Sequence, residues 1–561
     1  MRSIQIATLV ALLGAASSSA AAQQTLVNIV GVGGGAHLGW AVSGVGDINK
    51  DGFPDLIVGA PDYLVDAAED VGLARVYSGK DLTVLWQETG IGPGDRYGQF
   101  VTEAGDVNQD GWPDFIVSAL HANGPGDEPI ATGSAEIRSG QDFTILYRWY
   151  GDATLDDFGD CASPVGDVNN DGWPDVVVGA RRHDGPANSS GIARVFSGFD
   201  GSVLYNFTGS GENWLTGSSA DGAGDVNADG YADIIVGSRG ASPDGLNKAG
   251  QAIVYSGFDG SILLQVDGRF AGDGLGSGVA GVGDIDKDGF DDVAIGTWMS
   301  DQLGPTTGSA MVMSGATGEQ LYEWIGEMEG SVLGVWVDGP GDVNRDGWPD
   351  IVCGANAADC LTMSPIAYTS GKSYVWSGRD GSLLFDACGD GGGDGLGVVV
   401  ADPGDVNQDG YADVMSGAYW NDAGGHDSGF ARVWSGCPNV LALAGAALPG
   451  SNGELHLAGC GELEGNDPIT LRLINAKPLA HTMLIMGLQT VFAPFHGGFM
   501  VPSPDFLIFG LGTNAQGSLD LDATWPPGIP SGFQIAMQYW VPDPGGTNGW
   551  SSSNGLLAIT H

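Results

Sequence analysis

The 561-residue sequence predicts an all-β protein, in which a seven-bladed β-propeller with four-stranded blades precedes a small β-sandwich-like domain. The first observation is an acidic phrase, Asp-x-Asn/Asp-x-Asp-Gly-x-x-Asp, that recurs seven times at intervals of about 60 residues. The second is a set of four short β-strand signals within each interval. Four antiparallel strands that repeat radially are typical of propeller blades. The leading aspartates are Asp47, Asp106, Asp167, Asp225, Asp284, Asp342 and Asp405.

The third unit shows the four signals in order. A Gly-centred lead around Phe158-Gly159 precedes the acidic phrase, and a β-branched run follows it at Asp175–Ala180. Two further strand signals occupy residues 191–198 and 201–207. Short β-rich runs separated by Gly and Asp predict strands joined by turns.

The two ends of the array predict that the ring closes. The last unit has its third strand signal at residues 430–436, and the pattern stops there without a fourth. An isolated strand signal at residues 24–31 precedes the first unit. It shows the same residue pattern as the predicted fourth strands, such as that at 320–326. We therefore expect the N-terminal strand to complete blade 7 and to cover an edge that would otherwise stay unpaired.

The N-terminus and the charge indicate the compartment and exclude some partners. Residues 1–22 read as a signal peptide, with Arg2, an apolar stretch and small residues ahead of Gln23, and this stretch is too short to span a bilayer. The predicted domains are therefore the signal peptide 1–22, the propeller 23–436 and the C-terminal domain 437–561. A formal charge of −49 repels nucleic acid and anionic membranes. We expect a secreted or cell-surface protein without a membrane span.

The acidic phrase is predicted to bind calcium, because alternating oxygen donors suit a hard cation that takes six to eight oxygen ligands. An EF-hand is excluded, since its twelfth-position Glu is replaced by Val58 in the first copy and Val178 in the third. Ordinary Asp-Gly hairpin turns would explain only one Asp and one Gly per copy. The predicted ligands, four side chains and one backbone carbonyl per copy, are Asp47, Asn49, Asp51, Phe53, Asp55; Asp106, Asn108, Asp110, Trp112, Asp114; Asp167, Asn169, Asp171, Trp173, Asp175; Asp225, Asn227, Asp229, Tyr231, Asp233; Asp284, Asp286, Asp288, Phe290, Asp292; Asp342, Asn344, Asp346, Trp348, Asp350; Asp405, Asn407, Asp409, Tyr411 and Asp413.

The Gly-centred lead, the acidic loop and the following Val-Gly-Ala strand resemble FG-GAP repeats, which build the seven-bladed propeller of integrin alpha subunits. The resemblance covers roughly residues 26–436. It implies Ca²⁺ in the hairpins between the first two strands on one face, with partners on the opposite face. The seven acidic phrases themselves predict up to seven structural Ca²⁺ ions. The chain departs from integrins because all seven units carry the acidic loop, and because the Phe-Gly lead survives only in part, as Phe158-Gly159.

Residues just after each Val-Gly-Ala run are predicted to reach the face opposite the ions. They mix arginines with aromatics, as binding hot spots do, although ordinary loop variation and local salt bridges would give the same pattern. These candidate rim residues are Arg181, Arg182, His183, Arg239, Trp298, Tyr419 and Trp420.

The catalytic motifs sought in the sequence are missing: it contains no Gly-x-Ser-x-Gly elbow and no zinc-like His spacing. The sequence therefore predicts a non-catalytic binding or adhesion protein for an extracellular protein or glycan. An extracellular carbohydrate-active enzyme and a structural cell-surface or matrix component are the alternatives.

The C-terminal segment 437–561 lacks the acidic phrase and shows short alternating stretches separated by Pro-Gly turns. We interpret it as β-sandwich-like, and it loosely resembles C-terminal β domains of repeat proteins secreted by environmental bacteria. Six cysteines in an exported chain favour disulfides. The predicted pairs are Cys437 with Cys460 and, as a small loop, Cys353 with Cys360, while Cys161 and Cys388 are predicted as buried free thiols.

Overall fold

The computed structural model describes residues 24–65, 69–127, 130–360, 368–436, 442–443, 447–451, 455–460, 468–474, 476–496, 498–514, 517–525, 529–530 and 533–559. The chain forms two compact units. One comprises Thr25–Val406 and Ala412–Gly436, and the other comprises Asn407–Tyr411 and the described residues beyond Gly436. No helix among the described residues is long and apolar enough to cross a membrane.

The first unit contains seven four-stranded antiparallel sheets within the described residues, which we number as blades 1 to 7. The first strands are Ala41–Gly44, Tyr97–Gly105, Phe158–Gly166, Thr216–Gly224, Leu275–Gly283, Val337–Gly341 and Val400–Ala401. The second strands are Leu56–Ala60, Asp114–Ala119, Asp175–Ala180, Asp233–Ser238, Asp292–Thr297, Asp350–Ala355 and Val414–Ala418. The third strands are Leu73–Tyr77, Ser134–Arg138, Ile192–Phe196, Gln251–Tyr255, Ser309–Met313, Lys372–Trp376 and Phe430–Trp434. The fourth strands are Val84–Thr89, Ile145–Tyr150, Val203–Thr208, Ile262–Asp267, Gln320–Ile325, Leu383–Cys388 and Thr25–Val30.

Burial within a blade falls from the second strand to the fourth. In blade 3 every residue of Asp175–Ala180 is buried, whereas most of Val203–Thr208 is exposed or half-buried. The apolar core lies between blades, since Ile116 and Ile137 of blade 2 pack in one cluster with Val176 of blade 3. Continuous apolar runs therefore form the second strands, because neighbouring blades cover both of their faces.

The ring is closed by the N-terminal strand, which confirms the sequence prediction. Thr25–Val30 pairs antiparallel with Phe430–Trp434, and places Val27 opposite Val433 and Ile29 opposite Ala431. Each first strand contacts the first strand of the next blade, and that of blade 7 contacts that of blade 1. The architecture is thus a seven-bladed β-propeller.

A glycine ahead of each third strand joins neighbouring blades. Gly191 forms a parallel bridge to Thr216 of the next blade, and equivalent bridges run from Gly72 to Tyr97 and from Gly133 to Phe158. A Cβ atom at Gly191 would lie 2.2 Å from the Thr216 carbonyl oxygen, and its φ is +77°. Only glycine permits this approach, which explains why the residue recurs at this place in the repeat.

Short additional elements decorate the propeller loops. A two-stranded hairpin, Leu64–Val65 with Glu69–Asp70, follows the second strand of blade 1. Two 3₁₀ turns, Pro125–Asp127 and Pro243–Gly245, lie in the corresponding loops of blades 2 and 4.

The second unit is also built of strands. A larger sheet combines the long strand Gln534–Thr547 with its neighbours, and a three-stranded sheet lies beside it in the same apolar core, which Leu457, Leu471, Leu484 and Tyr539 share. Two sheets around one core are the arrangement of a β-sandwich-like domain. The described strands are Ala442–Leu443, His456–Cys460, Pro468–Ile474, His481–Gly487, Thr490–Phe495, Gly498–Pro502, Phe506–Gly512, Leu519–Thr524, Gln534–Thr547, Trp550–Ser552 and Leu556–Ile559.

The cysteines correct part of the sequence analysis. Cys360 and Cys388 form a disulfide, so the predicted pairing of Cys353 with Cys360 and the predicted free thiol at Cys388 are both wrong. Cys353 lies on the second strand of blade 6 with its side chain in the core between blades, and it is a buried free thiol. Cys161 is a buried free thiol, as predicted. Cys437, one member of the predicted Cys437–Cys460 pair, lies outside the described residues.

Candidate metal loops and the opposite rim

Each acidic phrase forms the loop between the first and second strands of its blade. In blade 2 the first strand ends at Gly105 and the second begins at Asp114, so the phrase occupies the turn between them. Gly111 adopts a φ of +89°, which explains the invariant Gly of the phrase. The loops therefore lie at the starts of the second strands, all on one face of the propeller.

Hydrogen bonds draw the side-chain oxygens of a loop toward its centre. In blade 2 the two carboxylate oxygens of Asp106 accept bonds from the backbone N–H groups of Asp110 at 3.0 Å and Gly111 at 2.9 Å. The Asn108 amide oxygen accepts from the Asp110 N–H at 2.9 Å, and Asp110 accepts from the Trp112 N–H at 2.9 Å. The side-chain oxygens of the loop thus accept from the backbone N–H groups of the same loop, and these bonds fix its turn.

The same pattern recurs in the other blades. The first Asp of the phrase accepts from two backbone N–H groups in blades 1, 3, 4, 5 and 6. In blade 7 Asn407 accepts from the Asp409 N–H at 3.0 Å. In blade 5 carboxylate oxygens of Asp284, Asp286 and Asp292 lie within 4.8 Å of one another. In each blade the predicted ligand side chains thus belong to one loop, and among the described acidic loops three carboxylates come within this distance only in blade 5.

The last Asp of each phrase is completely buried. In blade 2 the Asp114 carboxylate accepts from Val107 N–H and Gly140 N–H, both at 2.9 Å, so it also joins the loop to the end of the third strand. Burial raises the pKa of this carboxyl, and the nearby charges of Asp110 and Asp106 raise it further. The pKa values rise to about 6 for Asp55, Asp233 and Asp292 and to about 7 for Asp114, Asp175 and Asp350.

These loops have the donor chemistry of a hard-cation site. Each offers carboxylate oxygens, joined by an Asn amide oxygen in every blade except blade 5, and these are the ligand types that Ca²⁺ takes in proteins. Crowded buried carboxylates repel one another unless a positive charge compensates them. A divalent ion held by these side chains would supply that charge and fix the turn between the first two strands.

Contacts between successive loops were not foreseen from the sequence. The Lys50 ammonium of blade 1 donates to the Gly111 carbonyl of blade 2 at 2.6 Å and lies 5.2 Å from the centre of the Trp112 ring. Gln109 of blade 2 likewise donates to the Gly172 carbonyl of blade 3 at 2.7 Å. The sequence did contain a sign of these contacts between loops, because a long polar side chain often occupies the fourth position of the phrase. Each such contact ties one loop to the next around the ring.

The predicted rim residues follow the second strands and so lie on the face opposite the acidic loops. Arg181 binds the carboxylates of Asp157 at 3.1 Å and Asp160 at 2.9 Å, and Arg182 reaches Asp157 at 3.2 Å. The His183 ring lies 3.2 Å from Asp156, whose hydrogen bond raises the pKa of the histidine. The local salt bridge that the sequence left open for Arg181-Arg182 is therefore present.

Arg239 completes this cluster from the neighbouring blade. Its guanidinium lies 5.6 Å from the centre of the Trp298 ring of blade 5. The charges of Asp160, Arg181 and Arg182 all act on Arg239. The structure thus brings Arg181, Arg182, Arg239 and Trp298 together.

Tyr419 and Trp420 form a separate aromatic cluster on the same face. The Tyr419 ring contacts Trp420 at 4.3 Å and Trp40 at 4.9 Å between ring centres. His37 also contacts Tyr419 and lies 2.6 Å from the Asp62 carboxylate. Trp40 and His37 escaped the sequence analysis, because they precede the first strand rather than follow the second.

The first strands surround a central cavity of about 360 Å³. Four of the carboxyl groups that line it come from different blades: Glu103, Asp221, Asp338 and Asp402. Burial raises the pKa of Asp338 to about 6, and burial together with the Asp338 and Glu103 charges raises the pKa of Asp402 to about 7. These residues are exposed or half-buried where they line the cavity, yet the surrounding protein removes much of the water around each carboxyl group, and this disfavours the charged form.

Comparisons with known proteins agree with this geometry. The FG-GAP repeat model matches residues 38–77, 162–196 and 216–255. Integrin alpha-V of Gallus gallus is 29% identical over 215 residues, which cover 36% of this chain and 20% of the relative. Integrin alpha-5 of Xenopus laevis is 28% identical over 234 residues, covering 38% of this chain and 21% of the relative. Integrin alpha-8 of Gallus gallus is 27% identical over 282 residues, covering 45% of this chain and 26% of the relative.

The matches therefore span about a fifth to a quarter of the relatives' length. The crystal structure of Saccharomyces cerevisiae Sqt1 aligns over 74% of this chain and 97% of its own, with a TM-score of 0.40 and 10% identity, which is too weak to support an inference. The repeats matched by the family model fall on blades 1, 3 and 4, where the first three strands and the acidic loop lie. The chain therefore carries FG-GAP repeats in an integrin-alpha-like propeller.

Proposed function

We propose that this chain is a secreted, calcium-stabilised propeller that binds an extracellular partner without catalysing a reaction. The observation that carries the proposal is the separation of two features on opposite faces. Seven oxygen-rich loops occupy one face, and a rim of arginines and aromatic side chains occupies the other. The similarity to integrin alpha subunits supports an adhesion-type role.

Calcium would act on structure rather than on the partner. In each blade the ion would be held by the four oxygen-bearing side chains of the phrase and by the carbonyl after its Gly. The buried last Asp bonds both the loop and the end of the third strand, so an ion there would stabilise three of the four strands of a blade. With calcium at about 100 times its dissociation constant, each site would stabilise the fold by about 2.7 kcal/mol.

The partner would meet the rim. Trp298 contacts Arg239, and the half-exposed Arg182 belongs to the same cluster, so this part of the rim offers the aromatic and cationic side chains that dominate the energetics of protein interfaces. Trp420 is 45% exposed and offers a second aromatic contact. Both groups lie at the ends of second strands, on scaffolding that the blades hold rigid.

A binding screen against arrays of extracellular proteins and glycans tests the proposal, in calcium and in chelator. We expect saturable binding that is weakened by Trp298→Ala and reduced in chelator. Phe258→Ala is the matched control, because Phe258 is 62% exposed in the turn after a third strand, on the acidic-loop face beside Tyr231. Turnover of a polysaccharide, or binding that only Phe258→Ala abolishes, would contradict the proposal.

A further inference from the structure

Arg239 differs from the other arginines of the rim because no carboxylate binds it. Arg181 is held by Asp157 and Asp160, and Arg182 by Asp157. Within the part of the chain that the structure describes, the Arg239 guanidinium makes neither a hydrogen bond nor an ion pair, and the Trp298 ring is its close contact.

An unpaired arginine is costly in such a place. The Arg239 side chain is half-buried at the end of its strand, and burial lowers its pKa. Arginine nevertheless stays protonated in proteins, so the charge persists without a matching anion. Partly desolvated charges are normally paired, because removing them from water without a partner costs free energy. An anion that bound Arg239 would offset this free-energy cost.

The surroundings define what anion fits. Arg181, Arg182 and Arg239 carry three positive charges against the two carboxylates of Asp157 and Asp160, and this leaves a surplus of one. Arg182 is 51% exposed, so its guanidinium remains open to solvent beside Arg239. The Trp298 ring covers one side of Arg239. One planar carboxylate matches both the fork of a guanidinium and the single surplus charge.

The charge of the whole chain favours a protein source for that carboxylate. At a formal charge of −49, the chain repels a polyanionic glycan along its length. A neutral or basic protein that presents one acidic side chain avoids this repulsion. We infer that Arg239, Arg182 and Trp298 form a subsite for one Asp or Glu side chain of a protein partner, and this rests on the proposed function of the rim.

The free protein provides a first test, by thermal unfolding in calcium. Arg239→Gln removes the one surplus positive charge of the arginine cluster, so we expect its melting temperature to equal or exceed that of the wild type. Arg181→Gln is the matched control and should lower it, because it leaves Asp157 and Asp160 without their cation. A melting temperature lowered by Arg239→Gln as much as by Arg181→Gln would show that Arg239 is structurally paired, and would overturn the inference.

Peptide display on the full chain tests recognition. A random peptide library is panned on the wild type, each binder is then measured on the wild type and on Arg239→Gln, and we expect the binders that Arg239→Gln weakens to share an Asp or Glu. Its replacement by Asn or Gln should weaken binding to the wild type by about tenfold to a hundredfold and leave binding to Arg239→Gln unchanged. Binders whose affinity Arg239→Gln leaves unchanged, or a sulfated glycan on an array that binds only when Arg239 is present, would overturn this inference. Neither result would refute the proposed function. Failure of the wild type to bind any protein or glycan would instead refute the proposed function.

Discussion

Replacing the buried aspartate of one acidic loop should destabilise the propeller far more with calcium than without it. Asp114→Asn in blade 2 keeps the size of the side chain but removes one of the two oxygens that accept from Val107 N–H and Gly140 N–H. It also removes the charge that a bound ion would meet. The site is fully buried, so water cannot replace the lost acceptor.

The magnitude follows from these two losses. Leaving a buried N–H donor without its acceptor costs about 1–3 kcal/mol, and this cost applies with or without metal. Loss of the ion adds about 2.7 kcal/mol when calcium is at about 100 times its dissociation constant. We therefore expect Asp114→Asn to cost about 4–6 kcal/mol in calcium and about 1–3 kcal/mol in chelator.

Denaturant unfolding of wild type and variant, in calcium and in chelator, measures the difference. Asp142→Asn is the matched control, because Asp142 lies in the same blade, in an exposed turn where it accepts from the Thr144 N–H and hydroxyl groups. We expect the control to shift stability equally in both conditions. An Asp114→Asn penalty that is the same in calcium and chelator would refute the metal role of this loop.

Three further predictions test the closure, the disulfide and the central cavity. Ile29→Ala should cost about 2–5 kcal/mol in denaturant unfolding, because Ile29 is buried in the closing strand, whereas Val32→Ala, at a 74% exposed position, should change little. Cys360→Ala should destabilise blade 6 by about 3–4 kcal/mol, since the bond to Cys388 spans 28 residues, and non-reducing peptide mapping should show that bond in the wild type. Asp338→Asn should gain stability relative to wild type as pH rises from about 4 to 6, because the folded-state pKa of Asp338 is raised to about 6 and ionisation above its unfolded value of 3.8 then opposes folding. Melting curves across that pH range at fixed calcium measure it, and a difference that does not change with pH contradicts it.

The repeat made much of the fold predictable. One period of about 60 residues encodes one blade, and contacts within a blade join residues that are close in sequence. The position of Asp114 in its loop follows from the phrase itself, since Val107 and Gly140 both belong to blade 2. The closing strand was predictable for a different reason, because an isolated strand before the first unit matched a missing strand after the last.

Other features depend on where blades meet, and no local pattern encodes them. Glu103 and Asp338 share the central cavity although they come from blades 2 and 6. The disulfide joins Cys360, in the loop after the second strand of blade 6, to Cys388 at the end of the fourth, and spacing alone favoured a shorter pair. Arg239 was expected on the rim, but its lack of a carboxylate partner became visible only in three dimensions.

The central claim is that seven acidic loops hold calcium and thereby stabilise the ring. Its most direct test is a crystal structure of the full chain grown with calcium, with anomalous diffraction recorded to locate the ions. We expect anomalous peaks inside the loops, each surrounded by the four side chains of its phrase and the carbonyl after its Gly. Well-ordered loops that contain only water at millimolar calcium would contradict the account.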